Sequence, residues 1–391
     1  MYKKRIESID LLRGLIMIIM ALDHVRDYFH YDSFFIDPTD LSKTTALLFF
    51  TRWITHFCAP LFAFLSGISA FLSGQKKTKK ELSSFLLKRG IWLILLENTV
   101  MNFGWYFNPS FNFFGPQVLT ALGASMICLA ALIYLPRKYI LIIGMVLVGG
   151  HNALDSIHVS DDHFPSYIWG FLHERHRFAF LGIHFVTAYP IIPWIGIMSL
   201  GYCMGNVFTE QYGKSARKIF LLATGLGAIA VFILLRLVNL YGDLHPWTSQ
   251  SSQLFSMLSF VNLTKYPPSL DYLLLTVGVG LIFLAIMEKP LNRFGQILCT
   301  YGRVPFFFYV LHIYIIHLGA LAAAVITGYR WTDMTRFERM VSGVPWLKGY
   351  GFSLGTVYLI WAILVVGLYP LCKWYDQYKM NHKEKWWLSY L

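Results

Sequence analysis

Apolar residues fall into ten long runs separated by shorter polar segments, at residues 9–31, 46–72, 85–107, 117–135, 139–154, 187–208, 219–240, 270–287, 297–327 and 351–372. A helix needs about 20 predominantly apolar residues to cross a bilayer, and runs of this length meet that need. The fifth run is short. The ninth is long enough to tilt or overhang the bilayer. The pattern predicts an all-α integral membrane protein, a polytopic bundle of about ten transmembrane helices in a single domain over residues 1–391. No internal repeat is visible, so an inverted-repeat transporter gains no support.

Composition sharpens this reading. Hydrophobic residues make up 56% of the 391 and charged residues only 14%, against about 25% charged in a soluble domain. The excess of positive charge, +12, would suggest nucleic acid in a soluble chain. Here most Lys and Arg sit in alternate connecting segments: 2–5, 76–80 with Lys88 and Arg89, 137–138, 214–218, 289–293 and 373–385. The other set (31–45, 108–116, 155–186, 241–269 and 328–350) is poorer in them. The positive-inside rule then puts both termini in the cytoplasm and makes the basic excess a topology signal, with no nucleic-acid partner. The opening MYKKRIESIDLLRG has no cleavage site and reads as the lead into a retained first span. Cys58, Cys128, Cys203, Cys299 and Cys372 form no CxxC pair, so neither a metal site nor a disulfide framework is expected. The outer segments 155–186 and 241–269 are rich in His, Trp, Tyr, Asp and Ser. That composition suits a sugar-binding surface, though residue by residue an interfacial aromatic belt is the commoner reading.

Ionisable residues at membrane depth are costly and mark function. The first span carries Asp10, Arg13, Asp23, His24, Arg26 and Asp27. Arg13 and His24 lie eleven residues apart, which returns to nearly the same helix face about 16 Å along the axis. His24 is a candidate base, because imidazole is suited to general acid–base work near neutral pH; Asp27 at i+3 is placed to fix its tautomer. Asp23 can pair with Arg26 at helical spacing, and Asp10 with Arg13. In the second span Arg52 and His56 are four apart, Pro60 can kink the helix, and Gly67 and Ser69 allow close helix approach. Asn98 and Asn102 in the third span share a face, as helix glue or as substrate contacts. Arg303 begins the membrane part of the ninth span, with His312 near its middle and His317 beyond. Lys265 stands alone in the outer segment before the eighth span, as an acid-binding group or a solvated charge.

Several blocks carry a resemblance: SIDLLRG (8–14), ALDHVRD (21–27), RWITHFCAPLFAFLSG (52–67), IPWIGIMSLG (192–201), TKYPPSL (264–270) and GRVPFFFYVLH (302–312). Together they resemble the bacterial branch of the heparan-alpha-glucosaminide N-acetyltransferase catalytic-domain family. The Arg-x10-His element formed by Arg13 and His24 is similar to that of the wider transmembrane acyltransferase superfamily. The resemblance implies transfer of an acetyl group from cytosolic acetyl-CoA to a saccharide across the bilayer, with His24 as base and Arg13 engaging the donor. The lysosomal branch carries a catalytic His further along, in the first outer loop. Here that loop offers His30, so the base stands among His24, His30 and His56. No large luminal domain precedes the first span, so the acceptor is an amino or a hydroxyl group.

The expected mechanism has CoA phosphates at Arg13 and Arg303, His312 along the donor path, and His24 as base with Asp23 and Asp27 around it. Arg52, Asn98 or His56 would stabilise the oxyanion. Arg26, Asn98, Asn102 and Lys265 would meet the acceptor. No Ser or Cys nucleophile with a neighbouring base stands out, which favours direct transfer. The expected setting is a bacterial inner membrane, with no metal and with room for a homodimer. The competing class is a transporter or flippase for a polar solute that uses the charged first span as a relay.

Overall fold

The computed structural model describes residues 6–159, 164–336 and 344–389; the basic segment 2–5 lies outside them. Helices form at each apolar run. α1 spans Glu7–Phe29, α2 Ala46–Trp53, α3 Cys58–Gly74, α4 Lys79–Leu96, α5 Asn102–Tyr106, α6 Val118–Leu132 and α7 Arg137–Gly150. After α8 (Phe164–Leu172) come α9 (Ile191–Met204), α10 (Lys214–Val238), α11 (Gln253–Val261) and α12 (Leu270–Ile286). The chain closes with α13 (Arg293–Arg303), α14 (Pro305–Ile326) and α15 (Leu354–Asn381). Among the described residues, 5 helical segments are long and apolar enough to cross a membrane: Ala46–Gly74, Ile191–Phe208, Lys214–Val238, Pro305–Ile326 and Leu354–Asn381. α6 and α12 are apolar but shorter, and α1 is long but carries the buried charges.

Two spans differ from the sequence expectation, and proline explains both. The second is not one α-helix: Ile54–Phe57 is a 3-10 turn joining α2 to α3. Pro60 has no N–H for the carbonyl of His56 four residues earlier. The Tyr272 hydroxyl from α12 donates to that carbonyl instead, at 2.7 Å. The ninth run is two helices, because Pro305 starts α14 at its first turn and Val304 leaves the helical region (φ −127, ψ 46). The third span holds a π-helical turn at Glu97–Met101 between α4 and α5.

A small sheet departs from the all-α expectation. β1 (Phe113–Phe114) pairs parallel with β3 (Ile183–Thr187), which pairs antiparallel with β2 (His176–Phe180). The β2–β3 hairpin turns at Leu181 and Gly182, both at positive φ (49 and 76), as a two-residue hairpin turn requires.

Close backbone approach sets the helix packing. A Cβ on Gly14 of α1 would collide with the Leu298 carbonyl of α13, and one on Gly302 with the Asp10 carbonyl. Gly67 of α3 and Gly201 of α9 stand in the same reciprocal relation, as do Gly90 and Gly123 between α4 and α6. Small residues at helix contacts are how membrane helices associate where lipid offers no hydrophobic drive. α1 packs against α3, α12, α13, α14 and α15 and so runs through the centre of the bundle. α10 and α15 expose many of their apolar side chains, among them Leu226, Leu234, Leu237, Leu359, Ile363 and Val366.

Several contacts at the helix ends join segments on the same side of the charge pattern. Arg217 pairs with Glu288, and Lys79 Nζ donates to the Tyr134 carbonyl at 3.1 Å. At the other end Asn262 Nδ2 donates to the Thr39 carbonyl (2.9 Å) and the Tyr241 hydroxyl to the Gly149 carbonyl (2.6 Å).

Candidate active site

The last turns of α1 meet the end of α2 in a chain of buried charges. Asp23, 6% exposed, forms an ion pair with Arg26 through Oδ1 at 2.9 Å and pairs with Arg52 through Oδ2. Arg26 also pairs with Asp27. The i, i+3 spacing on α1 puts Asp23 and Arg26 on one face, and α2 brings Arg52 up from its last turn. Paired in this way the charges survive burial that would be prohibitive for each alone.

Beside this chain lies a cavity of about 40 Å3 whose wall includes Asp23, His24, Gln117, Tyr189, Lys265 and Tyr309, with apolar surface from Met20 and Phe62. His24 is the histidine in that wall. Its Nδ1 is buried without a hydrogen bond, and Asp27 Oδ2 is 3.9 Å away. That is beyond a hydrogen bond and within reach of a small side-chain adjustment. The Trp105 ring meets the imidazole edge-on at 4.8 Å between centroids, and the Tyr28 hydroxyl anchors Trp105 through its carbonyl at 2.8 Å. The His312 ring lies 5.3 Å from that of His24. His312 Nδ1 faces the Phe308 carbonyl at 2.9 Å, which assigns the proton to Nδ1 and leaves Nε2, buried and unpartnered, as an acceptor.

The other sequence candidates divide. His56 is 4% exposed and lies one turn beyond Arg52, its Nδ1 without a partner. His30 caps the end of α1, where its Nδ1 accepts from the Asp32 N–H at 3.3 Å and its ring stacks on Tyr31. Arg13 sits at the opposite end of α1 and binds Asp10 (3.2 Å), the Gly302 carbonyl (3.3 Å) and Ser69 Oγ (2.9 Å). Arg303 is at that same end and pairs with Asp376 of α15 at 2.6 Å. Asn98 Nδ2 donates to the Ile94 carbonyl at 2.8 Å and to Thr120 Oγ1 at 3.4 Å. Asn102 Nδ2 donates to the Phe113 carbonyl at 2.9 Å. Both amides tie the third span to the segment entering α6. His317 bridges the Gly104 and Met334 carbonyls.

Several cavity residues escape sequence reasoning. Gln117, Tyr189 and Tyr309 are uncharged and ordinary in a membrane helix bundle. Their only signal is position, Tyr189 just before one motif block and Tyr309 inside another. Cys58 reads as a small hydrophobe, yet it lines the cavity, its thiol turned toward the Ile16 carbonyl at 3.3 Å. Among the described residues no group of three or more His, Cys, Asp or Glu could hold a metal.

The family described as heparan-alpha-glucosaminide N-acetyltransferase, catalytic, matches the chain over residues 5–235. The match runs from the start of α1 nearly to the end of α10, and so includes Asp23, His24, Arg52 and His56. Lys265, Tyr309 and His312 lie beyond it. No curated protein matches the chain.

Proposed function

The chain belongs to the heparan-alpha-glucosaminide N-acetyltransferase catalytic family, whose members are membrane acetyltransferases, and from that premise we propose that it moves an acetyl group from cytosolic acetyl-CoA to a saccharide on the extracytoplasmic side, with His24 as general base. The observation that carries this reading is the His24 imidazole in a partly enclosed cavity, its Nδ1 uncommitted. The cavity has room for an acetyl-sized group or a few waters, not for a whole CoA. The donor must therefore enter from elsewhere and present only its thioester.

Ten crossings with both termini cytoplasmic suit the contacts at the helix ends, several of which join segments on the same side of the charge pattern. In that arrangement Arg13 and Arg303 stand at the inner mouth for the CoA phosphates, each braced by a carboxylate. The pantetheine arm would run along α1 past His312 to His24. The acceptor amine or hydroxyl attacks the acyl carbon as His24 takes its proton. The tetrahedral intermediate collapses, the C–S bond breaks, and the thiolate leaves with the proton returned by His24. Arg52, Gln117 and Tyr309 are the donors available to the oxyanion. The side-chain N–H groups of Asn98 and Asn102 are engaged in helix contacts, so we assign both a structural role. A bacterial inner membrane remains the proposed setting.

Purified protein with labelled acetyl-CoA and a panel of sugars tests the reading. Label in a sugar supports it. Proton-driven solute uptake that needs no CoA would place the chain among transporters instead.

A further inference from the structure

We propose that Glu97 is a positioning residue for acetyl transfer: from the π-helical turn of the third span it caps α6 and so holds Gln117 in the wall of the His24 cavity. This deepens the acetyltransferase reading and rests on it. Gln117 precedes α6 at φ −114 and ψ −146, and its own side chain makes no capping bond. The first N–H groups of a helix have no partner inside it, and at membrane depth water does not supply one. Glu97, 3% exposed, supplies it from a different helix. Its Oε2 accepts from the Gln117 N–H at 3.0 Å and from the N–H of Thr120, the third residue of α6, at 2.5 Å. A carboxylate suits this place, because the aligned peptide dipoles leave partial positive charge at a helix N-terminus. Gln117 and its neighbour Val118 both line the cavity that holds His24. The backbone that Glu97 grips is therefore the backbone that sets that part of the wall.

The π-turn is what aims the carboxylate. Its widened bond runs from the Asn102 N–H to the Glu97 carbonyl, five residues back. Residues five apart on an α-helix point about 140° away from each other. The wider turn closes much of that angle, and the Glu97 and Asn102 side chains reach the same segment. Asn102 Nδ2 donates to the Phe113 carbonyl at 2.9 Å, and Asn98 Nδ2 to Thr120 Oγ1 at 3.4 Å. Three side chains from one short stretch of the third span thus hold residues 113–120 at both ends. Of the three, Glu97 is the one hydrogen-bonded to Gln117. Its other oxygen, Oε1, is buried without a hydrogen bond. Glu97 acts through Gln117, one of the donors proposed for the oxyanion, and not on the reacting atoms.

The test compares purified wild type with Glu97→Ala, Glu97→Gln, Gln117→Ala and the double variant Glu97→Ala with Gln117→Ala. Thr99→Ala, at an exposed position of the same turn, is the control. Initial rates of labelled acetyl transfer to the sugar panel give kcat and the KM for acetyl-CoA. Hydrogen exchange of the peptide covering residues 113–120 reads the cap without turnover. The expected result in Glu97→Ala is faster exchange in that peptide and a fall in kcat of about a hundredfold, the cost of displacing one oxyanion donor, with the KM for acetyl-CoA little changed. Glu97→Gln, whose amide oxygen still accepts from the α6 backbone, recovers most of both. The double variant loses no more than Gln117→Ala alone, because the two residues act as one. Thr99→Ala matches wild type. Should Glu97→Ala not fold, Glu97→Asp, one methylene shorter, is judged by the same criteria. Wild-type transfer with kcat unchanged in Glu97→Ala, or losses that multiply in the double variant, overturn the inference and leave the acetyltransferase reading intact. Wild-type protein that transfers acetyl to no sugar overturns the acetyltransferase reading, and this inference with it.

Discussion

The imidazole of His312 lies 5.3 Å, centre to centre, from that of His24, and its Nδ1 is spent on the Phe308 carbonyl one turn back. The two rings sit on different helices, and Trp105 closes on His24 from a third element. His24 is therefore held by neighbours that lie outside the cavity wall. Replacing His312 with Ala should leave the fold and lower kcat with little change in KM. The loss should reach up to about a hundredfold, the cost of misplacing a reacting group by about 1 Å. Steady-state kinetics check it, and an unchanged kcat would remove His312 from the site.

The buried charge chain makes a stability prediction. Asp23→Ala leaves Arg52 and Arg26 facing each other with only Asp27 between their charges, and breaking a buried pair costs about 3–5 kcal/mol. The detergent-solubilised variant should melt well below wild type. A double variant, Asp23→Leu with Arg52→Met, should recover much of that loss, because an apolar pair needs no desolvation. Recovery absent in the double variant would show that the pair is not what holds α1 to α2.

Much of this arrangement was legible in the sequence. The i, i+3 spacing gave the Asp23–Arg26 and Asp10–Arg13 pairs, and Gly67 does mark a close helix contact, with α9. Other parts were hidden for physical reasons. Apolar continuity masks a helix break, so residues 297–327 read as one run although Pro305 begins a new helix. The β2–β3 hairpin, HRFAF and IHFVT, lacks a regular alternation of apolar and polar residues, since Ala179 and Val186 interrupt it, so no strand period stands out there. Lys265 is legible in the sequence as a lone cation that could meet an acceptor, but that it joins the wall holding His24, more than two hundred residues away, follows only from tertiary packing.

Tyr266 gives the site a pH dependence. Burial pushes its phenol up, but the Lys265 ammonium and the Arg52 guanidinium outweigh burial and hold it down at about 8. Below that value the phenol is neutral and Arg52 keeps its full attraction for the oxyanion. Above it the phenolate competes for that cation. The kcat should therefore fall as pH rises through about 8. Tyr266→Phe should flatten that limb, and a limb unchanged in this variant would assign it to another group.

Cys58 tests the order of bond making. Its thiol lines the cavity but faces the Ile16 carbonyl, so direct transfer needs no covalent stage there. Cys58→Ala should transfer acetyl within about threefold of wild type, since it removes only one small buried group. Denatured wild-type protein should carry no stable label. Label retained on Cys58 would replace direct transfer with an acyl-enzyme.

His24 is the group on which the proposed transfer depends most directly. Purified wild-type protein and His24→Ala, matched for thermal stability, are given labelled acetyl-CoA and a sugar panel, and the initial rate of label entering sugar is measured. The predicted result is a loss of about a hundred- to ten-thousandfold in the variant, the usual worth of a positioned general base. A His24→Ala protein that transfers acetyl at the wild-type rate would contradict it.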